Sequence, residues 1–237
     1  MQRKVRSEKA KGQTTMKTET NKFGSGVLYE AEDIEGLIFT TCTACMSIYS
    51  EFLSWANAHK DRFTMNPQIA DNIIVLSCQV TDLAVLNDIC HLEKFIRTFP
   101  DKHFFIGGCL ARRFDIELPD GVKRLENIKK DYQLIDETWM VDFADPFWVN
   151  EFDEYSTDEM KDGHLFRNMY SLRIGVGCKG KCKYCTIRTT RGSYYELNES
   201  DAEFKIIDKD IVLISDNPTA EQIKKWVDLA FKFRYEI

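Results

Sequence analysis

Cys178, Cys182 and Cys185 form a C-x3-C-x2-C triad inside the run Arg173-Ile-Gly-Val-Gly-Cys-Lys-Gly-Lys-Cys-Lys-Tyr-Cys-Thr-Ile-Arg-Thr-Thr-Arg-Gly192. Three thiolates so close in sequence can wrap one metal centre, and soft sulfur selects zinc, copper(I) or iron–sulfur. An iron–sulfur cube is normally held by one thiolate per iron, so three ligands leave one iron open. An open position is what distinguishes a catalytic metal centre from a closed structural one. Gly177 and Gly180 belong to the same chemistry, because a loop that wraps one centre needs tight turns and close backbone approach.

Three further cysteines follow apolar runs. Gly36–Thr41 precedes Cys42, Asn72–Ser77 precedes Cys78, and Lys102–Gly107 precedes Gly108 and Cys109. Each run reads as a buried strand. Between them lie helical patterns, one marked by Ile48, Phe52, Trp55 and Ala56, the other by Leu86, Ile89, Cys90, Ile96 and Phe99. Strand–helix–strand–helix–strand predicts a parallel α/β sheet of three layers. Ligands of such sheets bind beyond the carboxyl ends of the strands, where all three cysteines fall. Cys45 competes with Cys42 for the first position; Cys42 directly follows its strand and is chosen, with Cys45 in reserve. Cys90 reads as a core thiol. His59, His91, His103 and His164 share no ligand spacing.

The wider chain must position these thiols. Its 237 residues, 43% apolar and 12% aromatic, suffice for a buried core. Eight cysteines with no secretory signal suggest a reducing, cytoplasmic setting in which clustered thiols bind metal. The net charge of −6 is unevenly spread. Residues 1–22 carry seven Lys/Arg and two Glu, 136–162 carry ten acids and one lysine, and 163–195 carry seven Lys/Arg and no acid. The last field suits an anionic ligand or nucleic acid, or offsets the charge of a thiolate-bound cluster. These shifts divide the chain into a basic, disordered tail (1–30), an α/β domain (31–145), an acidic linker (146–168) and a C-terminal unit (169–237).

The two cysteine trios together resemble the radical S-adenosylmethionine methylthiotransferases. Ser77-Cys78-Gln79-Val80 and Gly108-Cys109-Leu110-Ala111 are similar to the family's second and third cysteine words. Cys185-Thr-Ile-Arg-Thr-Thr-Arg191-Gly192 resembles the close of its radical loop, with Arg188 where a proline is common. Ile211–Ser215, followed by Asp216-Asn217, resembles the next barrel strand and its polar end. The resemblance implies two [4Fe–4S] clusters. One, on Cys178, Cys182 and Cys185, would bind S-adenosyl-L-methionine at its open iron and generate a 5′-deoxyadenosyl radical. The other, on Cys42, Cys78 and Cys109, would carry the sulfur inserted into a C–H bond. Tyr184 would lie beside the adenine, and Gly177, Gly180 and Arg191 would contribute to cofactor binding.

The same resemblance implies a tRNA adenosine substrate, with a ribosomal protein side chain as the alternative, and an electron donor as partner. The chain departs from the pattern after Gly192. A full parallel barrel needs about 200 residues or more, and fewer than fifty remain. The expectation is therefore an incomplete radical barrel in a fragment, a split enzyme completed by a second polypeptide, or a shortened homologue. Such a chain would bind S-adenosyl-L-methionine weakly and not transfer methylthio groups alone. The competing reading is a non-catalytic metal protein, binding either iron–sulfur or a zinc ion on Cys42-x2-Cys45 and Cys182-x2-Cys185.

Overall fold

A computed structural model of the chain describes residues 16–42, 45, 47–48, 51–52, 55–56, 59–64, 66–79, 81–126, 135–136, 169–192, 194–197 and 210–235. The acidic segment 146–168 and most of the stretch between Gly192 and Ile211 lie outside them. No helix among the described residues is long and apolar enough to cross a membrane.

The predicted strands form β3 (Ile38–Cys42), β4 (Asn72–Ser77) and β5 (His103–Gly108). They pair in parallel in the order β3-β4-β5, extended by the short β6 (Lys123–Arg124). Every residue of β4 is buried, as a central parallel strand covered on both faces must be. Alternation along the strand sorts its side chains between two cores. Ile73 and Val75 join Phe39, Ile106, Leu92 and Phe95 beneath the helix α2 (Asp82–Thr98). Ile74 and Leu76 join Ile38, Phe105, Phe52 and Trp55 beneath α1, whose described helical residues are Ser47, Ile48, Glu51, Phe52, Trp55 and Ala56. Thr81 caps α2 by accepting from the Ala84 amide at 3.1 Å. Helix, sheet and helix make the three expected layers.

The sequence assigns residues 1–30 to a disordered tail, but part of that segment is ordered. β1 (Met16–Asn21) and β2 (Gly24–Tyr29) form an antiparallel hairpin. Its apolar anchor, Leu28, is fully buried. Its charges are used locally: Lys17 pairs with Glu126 at 2.9 Å and Glu19 with Arg112 at 2.9 Å. A basic count therefore conceals one buried leucine and two matched ion pairs.

The C-terminal unit centres on β8 (Met169–Val176), which pairs in parallel with β10 (Asp210–Ser215). The two-residue strands β7 (Ile135–Asp136) and β9 (Tyr195–Glu196) add to β8 in antiparallel fashion. From its sequence, Ala220–Phe231 reads as a helix with Ile223, Val227, Ala230 and Phe231 on one apolar face, but the last helix, α4 (Ala220–Tyr235), turns another side inward. Ile223, Val227 and Phe231 are exposed, while Trp226 is completely buried against Leu172, Ile174 and Val176. Gln222 fixes this choice by donating Nε2 to the Ile174 carbonyl at 3.2 Å.

His91 on α2 shares a 3.1 Å hydrogen bond with Thr41 Oγ1 of β3, and its ring lies edge-on to Phe95 at 4.9 Å. Burial, aided by Lys94, lowers its pKa from the ordinary 6.5 to about 4. The neutral ring is thus favoured by folding. Above about pH 6.5 both folded and unfolded chains carry it neutral; between 6.5 and 4 only the unfolded chain gains the proton, so stability falls as pH drops. The His91→Gln variant should lose less stability than the parent between pH 7 and pH 4.5 in chemical denaturation. Equal losses would show that His91 does not contribute.

Candidate functional site

Cys42 closes β3, Cys78 follows the end of β4, and Cys109 follows the end of β5. Because the strands are adjacent and parallel, with Cys42 opposite Leu76 and Ser77 opposite Gly108, the three positions share the carboxyl edge. Two local devices shape that edge. Gly108 has φ +78°, and a Cβ there would stand 2.4 Å from the Ser77 carbonyl oxygen. Only glycine can therefore turn β5 into the short 3-10 helix Cys109–Arg112. Asp88, buried on α2, accepts the Cys78 amide at 2.7 Å and fixes the loop after β4. It falls in helical register with Val85, Leu92 and Phe95 on the buried face of α2, and an acid at such a position is the local signal that sequence reading passed over.

Cys109 interacts electrostatically with Cys45 and Cys78, and its thiol is hydrogen-bonded to Thr190. Burial pushes that thiol up to about 12, against the opposing pull of the nearby Arg191. Cys45, the reserve ligand, is exposed and near enough to Cys109 to influence it electrostatically. The Cys42 side chain lies outside the described residues. Cys90 is exposed on α2 and is not the core thiol that its helical spacing suggests.

The second thiol group is built by a loop after β8. Gly177 adopts φ +75° and donates its amide to Asp216 Oδ2 at 2.7 Å. Cys178 Sγ accepts from the Gly180 amide at 3.2 Å and from Asn217 Nδ2 at 3.1 Å. Gly180 sits so close that an added Cβ would lie 3.1 Å from Cys178 Sγ and 3.8 Å from Cys182 Sγ. Cys178, Cys182 and Cys185 line one cavity of about 360 Å³, together with Lys22, Lys181 and Arg188. Lys22, in the tip of the hairpin, reaches it by donating to the Cys185 carbonyl at 3.0 Å. Tyr184 is 87% exposed, and its hydrogen bond with Cys182 raises its pKa.

Among the described residues, no three cysteine, histidine or acidic side chains yet stand at mutual metal-binding distance. The donor set nevertheless fits an iron–sulfur group: three thiols around one cavity, with two N–H donors on a sulfur, the kind of contact that tunes such clusters.

Arg191 does not line this cavity's described wall. It is buried between the two thiol groups, bound to Glu51 at 2.7 Å, to Asp216 at 3.0 Å and to Ser47 Oγ at 3.2 Å. Glu51 also holds Arg173 at 2.7 Å. The opposed carboxylates raise the Arg191 pKa in spite of its burial, and Arg191 in turn lowers that of Asp216 despite its own. Sequence reading marked Arg191 for its motif and missed Glu51, Ser47 and Arg173. Their partners are distant in sequence, and no spacing rule joins them.

With cysteine positions on the carboxyl edge of a parallel sheet and a glycine-shaped cysteine loop after it, the chain is similar in sequence to methylthiotransferases. Its named relatives are ribosomal protein uS12 methylthiotransferases RimO. That of Clostridium acetobutylicum is 28% identical over 167 residues, covering 67% of this chain and 36% of the relative. That of Clostridium botulinum (strain Langeland) is 27% identical over 187 residues, covering 73% and 42%. That of Carboxydothermus hydrogenoformans is 24% identical over 178 residues, covering 66% and 38%. The chain therefore spans less than half the length of these curated relatives. No family model matches it.

Gly180 provides a direct test of the loop. Gly180→Val should crowd Cys178 and reduce iron retained by the triad several-fold after anaerobic reconstitution, while leaving the circular dichroism spectrum unchanged. Undiminished iron in the variant would show that the close approach at Gly180 is not needed for binding.

Proposed function

We propose that this chain forms the sulfur-binding and radical-loop portion of an iron–sulfur methylthiotransferase acting on a ribosomal protein side chain. The observation that supports this reading is that buried Arg191 is tied through Asp216 to the Gly177 amide beside Cys178 and also acts electrostatically on Cys109. Cys178, Cys182 and Cys185 would hold one cluster, and Cys78, Cys109 and either Cys42 or Cys45 the other. When bound, the clusters supply an electron and an open iron for S-adenosyl-L-methionine at the first site, and sulfur at the second.

The chain's own residues supply ligation, orientation and charge. Gly180 and Asn217 donate to the Cys178 sulfur and fix its place in the loop. Asp88 holds the Cys78 loop through the backbone amide. Lys22, Lys181, Lys183 and Arg188 surround the triad's cavity with positive charge, which offsets thiolates and attracts an anionic ligand. Tyr184 stands at the loop's exposed edge, where an adenine could stack on it.

The substrate assignment moves from tRNA adenosine to a ribosomal protein, because the relatives are named for modifying uS12. The basic field around the triad favours RNA no more than an acidic protein surface. A zinc site shared by Cys45 and Cys182–Cys185 is disfavoured, because Cys45 is grouped with Cys78 and Cys109. An electron donor, and a second polypeptide or further residues completing a barrel, belong to the same proposal.

Anaerobic reconstitution with iron and sulfide tests the cofactor reading. Replacing Cys178, Cys182 and Cys185 with alanine should remove roughly half of the bound iron if each trio holds one cluster. Unchanged iron content would refute the triad as a ligand set. Mass spectrometry of ribosomal proteins and tRNA from cells with and without the gene tests the substrate. A methylthio group on a ribosomal protein that vanishes with the gene is expected; a change confined to tRNA nucleosides would reverse the assignment.

A further inference from the structure

The buried charges between the two thiol groups form a continuous chain of contacts. Glu51 of α1 binds Arg173 of β8 and Arg191, each at 2.7 Å. Arg191, just after the short helix α3 (Ile187–Thr190), continues to Asp216 at the end of β10. The same oxygen of Asp216 accepts the Gly177 amide at 2.7 Å, one residue before Cys178. The adjacent Asn217 donates directly to Cys178 Sγ at 3.1 Å. On the other side, Thr190 and Arg191 lie against Cys109, and Arg112 of the Cys109–Arg112 turn donates to the Thr190 carbonyl at 3.3 Å.

We propose that Arg191 is a positioning residue that sets the triad loop against the strand-end thiols, acting on Cys178 through Asp216 and Gly177. The geometry is specific to a guanidinium. Its planar fork satisfies Glu51, Asp216 and Ser47 in different directions from one rigid group, whereas a lysine ammonium offers a point charge on a flexible stem. Its side chain is 2% exposed and that of Asp216 8%, so the contacts work in a low dielectric where neither water nor salt replaces them. The inference rests on these contacts alone and stands or falls independently of the methylthiotransferase reading.

Hydrogen–deuterium exchange on the full chain as purified, without added iron, provides the test. Arg191→Met should speed exchange about tenfold or more in peptides covering Gly177–Cys178 and Cys109–Arg112, a local loss of protection. Exchange across α2, which has its own core, should stay at the parental rate. Arg191→Lys should fall between parent and Met variant. Asp216→Asn, which leaves Arg191 bound to Glu51, should speed Gly177–Cys178 and leave Cys109–Arg112 unchanged; it carries the test if the Met variant does not fold. Parental exchange at Gly177–Cys178 in these variants, or acceleration spread equally over α2, would overturn the proposal, the latter by reducing Arg191 to general stability. Because no metal or substrate enters the measurement, a failed iron or mass-spectrometric result would leave it untouched.

Discussion

Four buried charges hold the two halves of this protein together. Glu51, Arg173, Arg191 and Asp216 balance two positive groups with two negative ones in a region almost closed to solvent. Removing such groups from water costs several kcal/mol per ion, which only close pairing and further hydrogen bonds offset. The cluster meets that cost by ion pairs of 2.7–3.0 Å, although Arg173 Nε and Nη1 and Arg191 Nη1 make no hydrogen bond among the described residues. An arginine left without its carboxylate here would be an uncompensated buried charge, a loss of about 3–5 kcal/mol. The interface therefore tolerates few alternative arrangements, and the relative placement of sheet and cysteine loop follows from that intolerance. Apolar packing builds each half separately; the ionic contacts define how they meet.

The parallel sheet was legible because its strands are short, continuous apolar runs separated by helical patterns, so that run length and order rather than alternation identify them. Predicted and observed limits of β4 coincide, while β3 and β5 begin later and end one residue later than the apolar runs suggest. The cysteine loop was legible from spacing and glycine alone. The C-terminal helix was found, yet its buried side was misread. The stripe of Ile223, Val227 and Phe231 obeys helical periodicity as well as the Gln222 and Trp226 side does, and only the shape of the sheet selects between them. The hairpin was hidden by composition, since a lysine-rich segment looks like a solvated tail until its acidic partners, Glu126 among them, are known.

The candidate site shows the same division. Residues whose chemistry depends on local spacing, such as Cys178, Cys182, Cys185 and Gly180, announce themselves. Residues that position them from afar do not. Asp88 supports Cys78 from ten residues away, and Glu51 reaches Arg173 across 122. Each is an acid in register with the apolar stripe of its helix, Asp88 with Val85, Leu92 and Phe95 and Glu51 with Ile48, Phe52 and Trp55, a placement that marks it as buried but does not name its partner. The choice between Cys42 and Cys45 illustrates the same limit, because a side chain three positions past a strand end can turn back to the edge that the strand itself defines.

The hairpin tip gives the fold a thermodynamic property of its own. Lys22 is tied to the Cys185 carbonyl, while the strands beneath it are anchored to Arg112 and Glu126 on the other half. Hairpin docking and loop conformation are thus linked equilibria, and linkage is reciprocal. Whatever orders the cysteine loop tightens the hairpin by the same free energy, and whatever detaches the hairpin loosens the loop to the same extent. An N-terminal segment with no thiol of its own thereby becomes a gauge of the state of the cysteine site.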